Sequence, residues 1–306
     1  MYKRLELHNH TTESDSSLTC QELVAHMLSD SVDAFALTDH NTISGHRKIR
    51  AILQETGAPI DCIYGMEYTT YYGHILCLNL EEYVPWENIN RHRPELLFAA
   101  AKEKGALTGI AHPFSYGDPF ARGCRFEMTV TDYSAVDFIE IFNNPEPLHE
   151  VNEPGLLLWE NLVLKGYRLA ATCGMDLHGK WSFTDQYATF IEGEKNGDIA
   201  SELAEAIHSC RTWVSRGPLL IACFSPEENT LTFSVQKSTK PGFVYPDSYQ
   251  LVIRTVSGDK TFPLQASGSV RLCADLFGND RILIPKLYGN TTALEDLYCV
   301  SPVITL

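Results

Sequence analysis

A chain of 306 residues is long enough to bury a sizeable core, as one large domain or as a barrel of about 200 to 250 residues with a small appendage. With 44% hydrophobic and 21% charged residues and no long low-complexity tract, it has the composition of a soluble globular protein, not of a disordered one. The formal charge of −15 opposes general attraction to phosphate polymers and anionic membranes, so polymeric nucleic acid and membranes are not expected as partners. A small anionic substrate stays open where metal ions invert the charge locally. No apolar run approaches the roughly 18 to 20 residues of a membrane span, and "MYKRLELHNH" enters a strand pattern without a signal-peptide core, so the expected location is cytoplasmic. The 9 cysteines are scattered, odd in number and without a CxxC pair, which reads as reduced, buried packing residues.

In chain order, Leu5 to His8 reads as a strand and "TCQELVAHMLSDS" as a helix, with Thr19 and Glu22 at capping-box spacing. "DAFALTDH" is a short apolar run, and "SGHRKIRAILQETG" is helical with Gly57 as its stop. Strands follow at "IDCIYGME", "GHILCLNL", "ALTGIAHP", "AVDFIEIFN", "RLAATCGMD" and "YATFIEG". Helices are expected near Pro94 to Lys104, Pro154 to Lys165 and Asp198 to Cys210. This alternation favours a parallel α/β barrel. From about Leu219 the pattern changes to short β-rich pieces separated by Gly, Pro, Asn and Asp turns, an expected all-β appendage.

Residue types that bind metals cluster where those strands end. His8 and His10 end the first strand, Asp39 and His40 the second, and Glu67 the third; His74 opens "HILCLNL", His112 ends "ALTGIAHP", and Asp176 with His178 follows "LAATCG". In a barrel such ends converge on one cavity, and two histidines at i and i+2 of a strand point to the same side. A lone HxH would more often be a structural pair, but the ordered set makes that reading poor. Carboxylates mixed with imidazoles suit zinc, manganese or iron in preference to calcium.

The motifs "LHNHTTESD", "TDHN", "GME", "GHIL", "AHP" and "MDLH" resemble those of the PHP (polymerase and histidinol phosphatase) domain family over roughly residues 3 to 215. The resemblance implies an α/β fold, a distorted (β/α)7 barrel, here expected over residues 1–217, followed by a small all-β, sandwich-like domain over 218–306. It implies two or three divalent ions per chain, with a first metal on His8, His10, Glu67 and Asp176; a second bridged by Glu67 and held by His74 and His112; and a third on Asp15, His40 and His178. Asp15, where some relatives carry histidine, would make that third site harder. The stretches "CRTWVSRGPLL" and "YCVSPVITL" are similar to the branch that includes carbaryl-hydrolase-like metallohydrolases.

The expected function is therefore that of a metal-dependent phosphoesterase acting on a small phosphomonoester such as a nucleotide or sugar phosphate, with a metal-bridging hydroxide as nucleophile. Glu67, His178 and Arg122 are the expected catalytic residues. Arg122 heads a set of candidate cationic clamps with Arg125, Lys180 and Arg216. Asp39 is expected to orient an imidazole, while Glu140 and Asn143 in "FIEIFNN" end a strand and either answer to a polar position of that family or have a plain barrel-mouth hydrogen-bonding role. His26, His46, His92, His149 and His208 are read as structural or surface, and Trp159 and Phe142 as core. A carboxylic or carbamate ester hydrolase and a non-catalytic metal-binding regulatory module remain as alternatives.

Overall fold

The computed structural model describes residues 1–87, 89–116, 122–143 and 151–306, with Arg122 described by its backbone alone. Apolar runs set the first strands: β1 (Tyr2–Glu6), β2 (Ala34–Leu37) and β3 (Asp61–Thr70) pair in parallel, with Leu5 opposite Ala34 and Ala34 opposite Asp61. Every residue of β2 is buried, as a strand covered on both faces requires. Between these strands lie α1 (Cys20–Ser29), which carries the expected Thr19–Glu22 capping box, and α2 (Ser44–Thr56), which Gly57 ends in the left-handed conformation.

Parallel alternation gives way after β3, because the turn at Tyr71 and Tyr72 is far too short for a crossover. β3 folds back as a hairpin onto β4 (Gly73–Leu78), which runs antiparallel to β5 (Leu107–Ile110). Parallel pairing resumes through β6 (Phe138–Phe142) and β7 (Ala170–Cys173). β8 (Ala188–Glu192) then pairs antiparallel with β1, and β9 (Thr212–Ser215) with β8. The outer layer is completed by α3 (Glu95–Glu103), α4 (Asn152–Leu164) and α5 (Ile199–His208).

The end of the barrel where β1 begins is filled by apolar side chains. Leu5, Ala34, Ile63, Leu76, Leu78 and Phe138 pack there with Ile199, Leu203 and Ile207 of α5, and Lys3 pairs with Glu202 of the same helix at 2.5 Å. Burial of each large side chain contributes about 1.5 to 3 kcal/mol. The opposite end, where β1 stops, is left for polar side chains.

Downstream, β10 (Pro218–Ser225), β11 (Thr230–Lys237) and β14 (Ser269–Cys273) form a three-stranded sheet. β12 (Ser248–Thr255), β13 (Gly258–Gln265), β15 (Ile282–Tyr288) and β16 (Leu297–Val300) extend the barrel sheet, joined to β9 by pairing of Cys299 with Ser215; β17 (Ile304–Thr305) adds to β15. Leu219, Leu231 and Phe233 face Leu251, Ile253, Leu283 and Leu287 in a common core, which gives the sandwich. Buried Glu160 of α4 ties barrel to sandwich, 2.5 Å from Lys286 and 2.7 Å from Arg254. All nine cysteines are free, and Cys223 and Cys273 are exposed on this sheet instead of buried as expected. Among the described residues, no helix is long and apolar enough to cross a membrane.

Candidate metal centre

The centre is assembled by backbone pairing just beyond the strands. Past β1, Asn9 bridges to Leu177, with His10 N–H donating to the Leu177 carbonyl (3.1 Å) and Leu177 N–H to that of His8 (3.2 Å). Past β2, His40 bridges to Glu67. His8, His10, His40, Glu67 and Asp176 are thereby drawn to one end of the barrel. His112, at φ 26°, and Asp176, at φ 49°, are held in the left-handed region that side chains other than glycine seldom adopt. Such strain, about 1 to 3 kcal/mol each, concentrates at functional positions.

Glu67 is the hub. Its Oε1 lies 2.8 Å from His74 Nδ1 and 3.0 Å from His112 Nε2; its Oε2 lies 2.8 Å from His40 Nδ1, 3.3 Å from His8 Nε2 and 3.5 Å from His10 Nε2. Asp176 Oδ1 sits 2.9 Å from His10 Nε2 and 3.3 Å from His8 Nε2. At the rim, Asp15 Oδ1 is 3.2 Å from His178 Nε2 and 3.6 Å from His40 Nε2.

Ligand atoms close enough to share an ion fall into overlapping groups: His8, His10, Glu67 and Asp176; His10, Asp15, His40 and His178; His40, Glu67 and His74; and His8, His112 and Glu140. The first group is the expected first set. The second adds His10 to the expected Asp15, His40 and His178. His74 and His112 meet at Glu67 Oε1 as expected, while His40 leans on Glu67 through Nδ1 and so stands between two groups.

The ring nitrogens show that the donor set fits divalent ions. His112 Nδ1 lies 3.2 Å from the Cys124 carbonyl, and His178 Nδ1 2.8 Å from the Asp176 carbonyl. A carbonyl only accepts, so both Nδ1 atoms carry the hydrogen, and in the neutral ring each Nε2 turns a lone pair toward a carboxylate oxygen. Buried His8 Nε2 and Glu67 Oε2 likewise face each other without a hydrogen bond. Opposed lone pairs at such distances call for a cation shared by them, a proton or a metal ion.

The electrostatics agree. Burial alone would push the Glu67 carboxyl up, but His74 and His8 and hydrogen bonds from His112 and His40 hold it well below the usual carboxylate range. Asp176, despite burial, is likewise held well down by His8 and His10. Burial pulls His112 down, yet hydrogen bonding to Glu67 and the charges of Glu67 and Asp176 carry it up to about 9. His8 also rises well above its ordinary value against burial, through Asp176, Glu140 and Glu67. His10 goes the other way, to about 4, because its burial outweighs Asp176. Protons on some rings thus balance the carboxylates, and a metal ion would displace them.

Several sequence expectations need correction. Asp39 orients no imidazole: its oxygens take the Thr11 N–H (2.7 Å), the Thr11 hydroxyl (2.8 Å) and the Ser14 hydroxyl (2.8 Å), so it braces the turn that leads to Asp15. Arg216 is no free clamp, since it is buried, paired with Asp185 and donating to the Glu295 carbonyl. The Arg122 side chain and His149 lie outside the described residues. Arg125 and Lys180 are exposed. His46 is buried against the Gly65 carbonyl, and Trp159 and Phe142 are core.

Glu140, left open between a family position and a barrel-mouth role, is buried, sits 3.0 Å from His8 Nδ1 and accepts from the His112 N–H (2.9 Å) and Asn143 Nδ2 (3.1 Å). Glu6, beneath the site, accepts from the Met175 N–H at 2.7 Å and is pushed up to about 8 by burial. The signal in the sequence is a lone carboxylate inside each apolar run, "LEL" and "FIEIF".

Residues 6–135 match the model of the PHP domain. The chain is 31% identical over 152 residues to the 5'-3' exoribonuclease Rnm of Escherichia coli, a match covering 45% of this chain and 52% of that one. It is 36% identical over 89 residues to the 5'-3' exoribonuclease of Haemophilus influenzae, covering 28% and 32%. The chain thus spans about half or less of the length of these relatives. In fold it is similar to a crystal structure from Bacteroides vulgatus, described as a two-domain protein containing a predicted PHP-like metal-dependent phosphoesterase, with TM-score 0.55 and 16% identity over 100% of this chain and 95% of that one.

Relatives named as exoribonucleases overturn the expectation that polymeric nucleic acid is excluded. The net charge on which that expectation rested governs long-range encounter, whereas ions seated among carboxylates set the local field that a phosphate meets.

Proposed function

We propose, from the match of residues 6–135 to the PHP domain model, that the protein is a metal-dependent phosphoester hydrolase whose substrate is a ribonucleotide phosphoester, free or at the 5' end of a strand. The observation that carries the reading is Glu67, one buried carboxylate with imidazoles of His8, His40, His74 and His112 within 3.3 Å. The names of the curated relatives support the nucleotide as substrate.

His8, His10, Glu67 and Asp176 would hold one divalent ion, Glu67, His74 and His112 a second, and Asp15, His40 and His178 a third. When bound, such ions polarise the phosphoryl group and neutralise charge that develops in the transition state. The chain's own part is positioning. Glu67 places its two oxygens toward opposite groups of rings. The Cys124 and Asp176 carbonyls fix the His112 and His178 tautomers, so each presents Nε2 inward. His178, with 38% of its side chain exposed, is the most open of these rings and with Asp15 would hold the third ion where the centre meets solvent. Residues 1–217 would serve as the catalytic barrel and 218–306 as the β-rich domain.

A substrate panel tests the reading. Protein loaded with manganese, zinc or iron is offered nucleoside monophosphates, short 5'-phosphorylated RNA, sugar phosphates and carboxylic or carbamate esters. Turnover of nucleotide phosphoesters is expected; turnover confined to non-phosphorus esters would sink the proposal.

A further inference from the structure

Glu140 lies outside the nine residues proposed as ligands, yet its contacts reach two of them. Its Oε1 is 3.0 Å from His8 Nδ1, and its Oε2 accepts the His112 backbone N–H at 2.9 Å and Asn143 Nδ2 at 3.1 Å. It is 1% exposed on β6, and Asn143 is locked in turn by Asn152, whose Oδ1 accepts the Asn143 N–H at 3.0 Å. A buried carboxyl group on a strand between apolar neighbours is costly to maintain unless it serves the site. Close packing supports it: a Cβ on Gly174 would lie 2.5 Å from His8 Cβ and 2.9 Å from Glu140 Oε1, so only glycine lets β7's following turn close over this pair.

We propose that Glu140 is the positioning residue of the centre, an acceptor that keeps the His8 hydrogen on Nδ1, frees Nε2 for the ion shared with Glu67 and Asp176, and anchors the backbone that carries His112. The inference rests on the reading of the site as a metal centre. Both oxygens of Glu140 are occupied by N–H donors, which marks it as an orienting group for ligands and not as a ligand itself. His112 needs such an anchor, because its backbone stands in the strained left-handed region at φ 26°. One carboxylate thus couples a ring from the first motif to a backbone from the fifth strand.

The test is metal titration of full-length wild-type, Glu140→Ala and Glu140→Gln proteins with manganese, read as stoichiometry and affinity. A nitrogen-resolved histidine NMR spectrum of the metal-free forms, at a pH at which the His8 ring is neutral, is recorded beside it. In Glu140→Ala, affinity is expected to fall about 10- to 100-fold, and the Nδ1-bound proton of His8 to be lost. Glu140→Gln keeps a carbonyl for His8 but no second acceptor for His112, so it should weaken binding less and retain the His8 tautomer. A folded Glu140→Ala protein with wild-type affinity and tautomer would overturn the inference while leaving the metal centre intact. If Glu140→Ala does not fold, wild-type affinity in Glu140→Gln overturns it. A wild-type protein that binds no divalent ion would instead overturn the underlying reading of the site.

Discussion

Glu67 and His74 face each other across the β3–β4 hairpin, carboxylate Oε1 2.8 Å from imidazole Nδ1, because Thr69 pairs with His74 and the two-residue turn holds both strand ends at the mouth of the barrel. No crossover separates them, so a single hairpin supplies both the hub carboxylate and one of its rings.

Glu67→Gln keeps the shape of the hub but removes its charge. Catalytic efficiency should fall by several kcal/mol of transition-state stabilisation, about a thousandfold, with loss of bound metal. Steady-state kinetics with elemental analysis checks this; full activity with full metal content would contradict the role of Glu67.

Gly174→Ala should disturb the same centre through packing alone. The new Cβ meets His8 Cβ at 2.5 Å, so the turn after β7 must shift, at a cost of about 1 to 3 kcal/mol. Reduced metal affinity accompanied by a lower midpoint in urea is the expected outcome. A variant with unchanged metal affinity would show that the turn has room to move.

His46 gives a pH dependence away from the metal ligands. It is buried, its Nε2–H donates to the Gly65 carbonyl at 2.8 Å, and its Nδ1 has no partner. Burial, only partly offset by that carbonyl, lowers its pKa from the ordinary value. Below about pH 6.5 the unfolded chain takes up a proton that the folded one refuses, so this contribution is present above that pH and lost as pH falls. His46→Gln should flatten the loss of stability between about pH 7 and pH 5, by about 1.4 kcal/mol for every tenfold by which the folded ring binds its proton more weakly than the unfolded one. Parallel pH profiles for variant and wild type would contradict it.

Glu160 and Lys286, 2.5 Å apart and both nearly inaccessible, link α4 to β15. Lys286→Met strands Oε1 of Glu160 and leaves Arg254 alone on Oε2, and should cost about 1 to 3 kcal/mol, whereas adding Glu160→Leu should recover most of it. Arg254 remains paired with Asp259 at 2.8 Å in the double variant. Urea unfolding of the two variants measures the difference; equal stabilities would refute the stranded-charge account.

The helices were legible because their punctuation is local: the Thr19–Glu22 capping box and the Gly57 stop act within one turn, and both stand where the spacing put them. The convergence of His8, Glu67, His112 and Asp176 was legible because β1, β3, β5 and β7 all run in one direction, so their carboxyl ends share a face. The continuation of the barrel sheet through β9 and β16 was not, since antiparallel pairing of Cys299 with Ser215 joins segments with no sequence signal in common. Asp39 and Arg216 were misread for a related reason. A charged side chain beside a motif looks the same whether it faces the site or, like Arg216, is spent on Asp185. Which side chain is already committed is a property of tertiary packing.

The most direct test of the account is release of product from a 5'-phosphorylated ribonucleotide by chelator-stripped protein as manganese is titrated back. The account predicts no turnover without metal and recovery that saturates as the centre around Glu67 fills. Turnover that survives complete metal removal, or none at any metal loading, would contradict it.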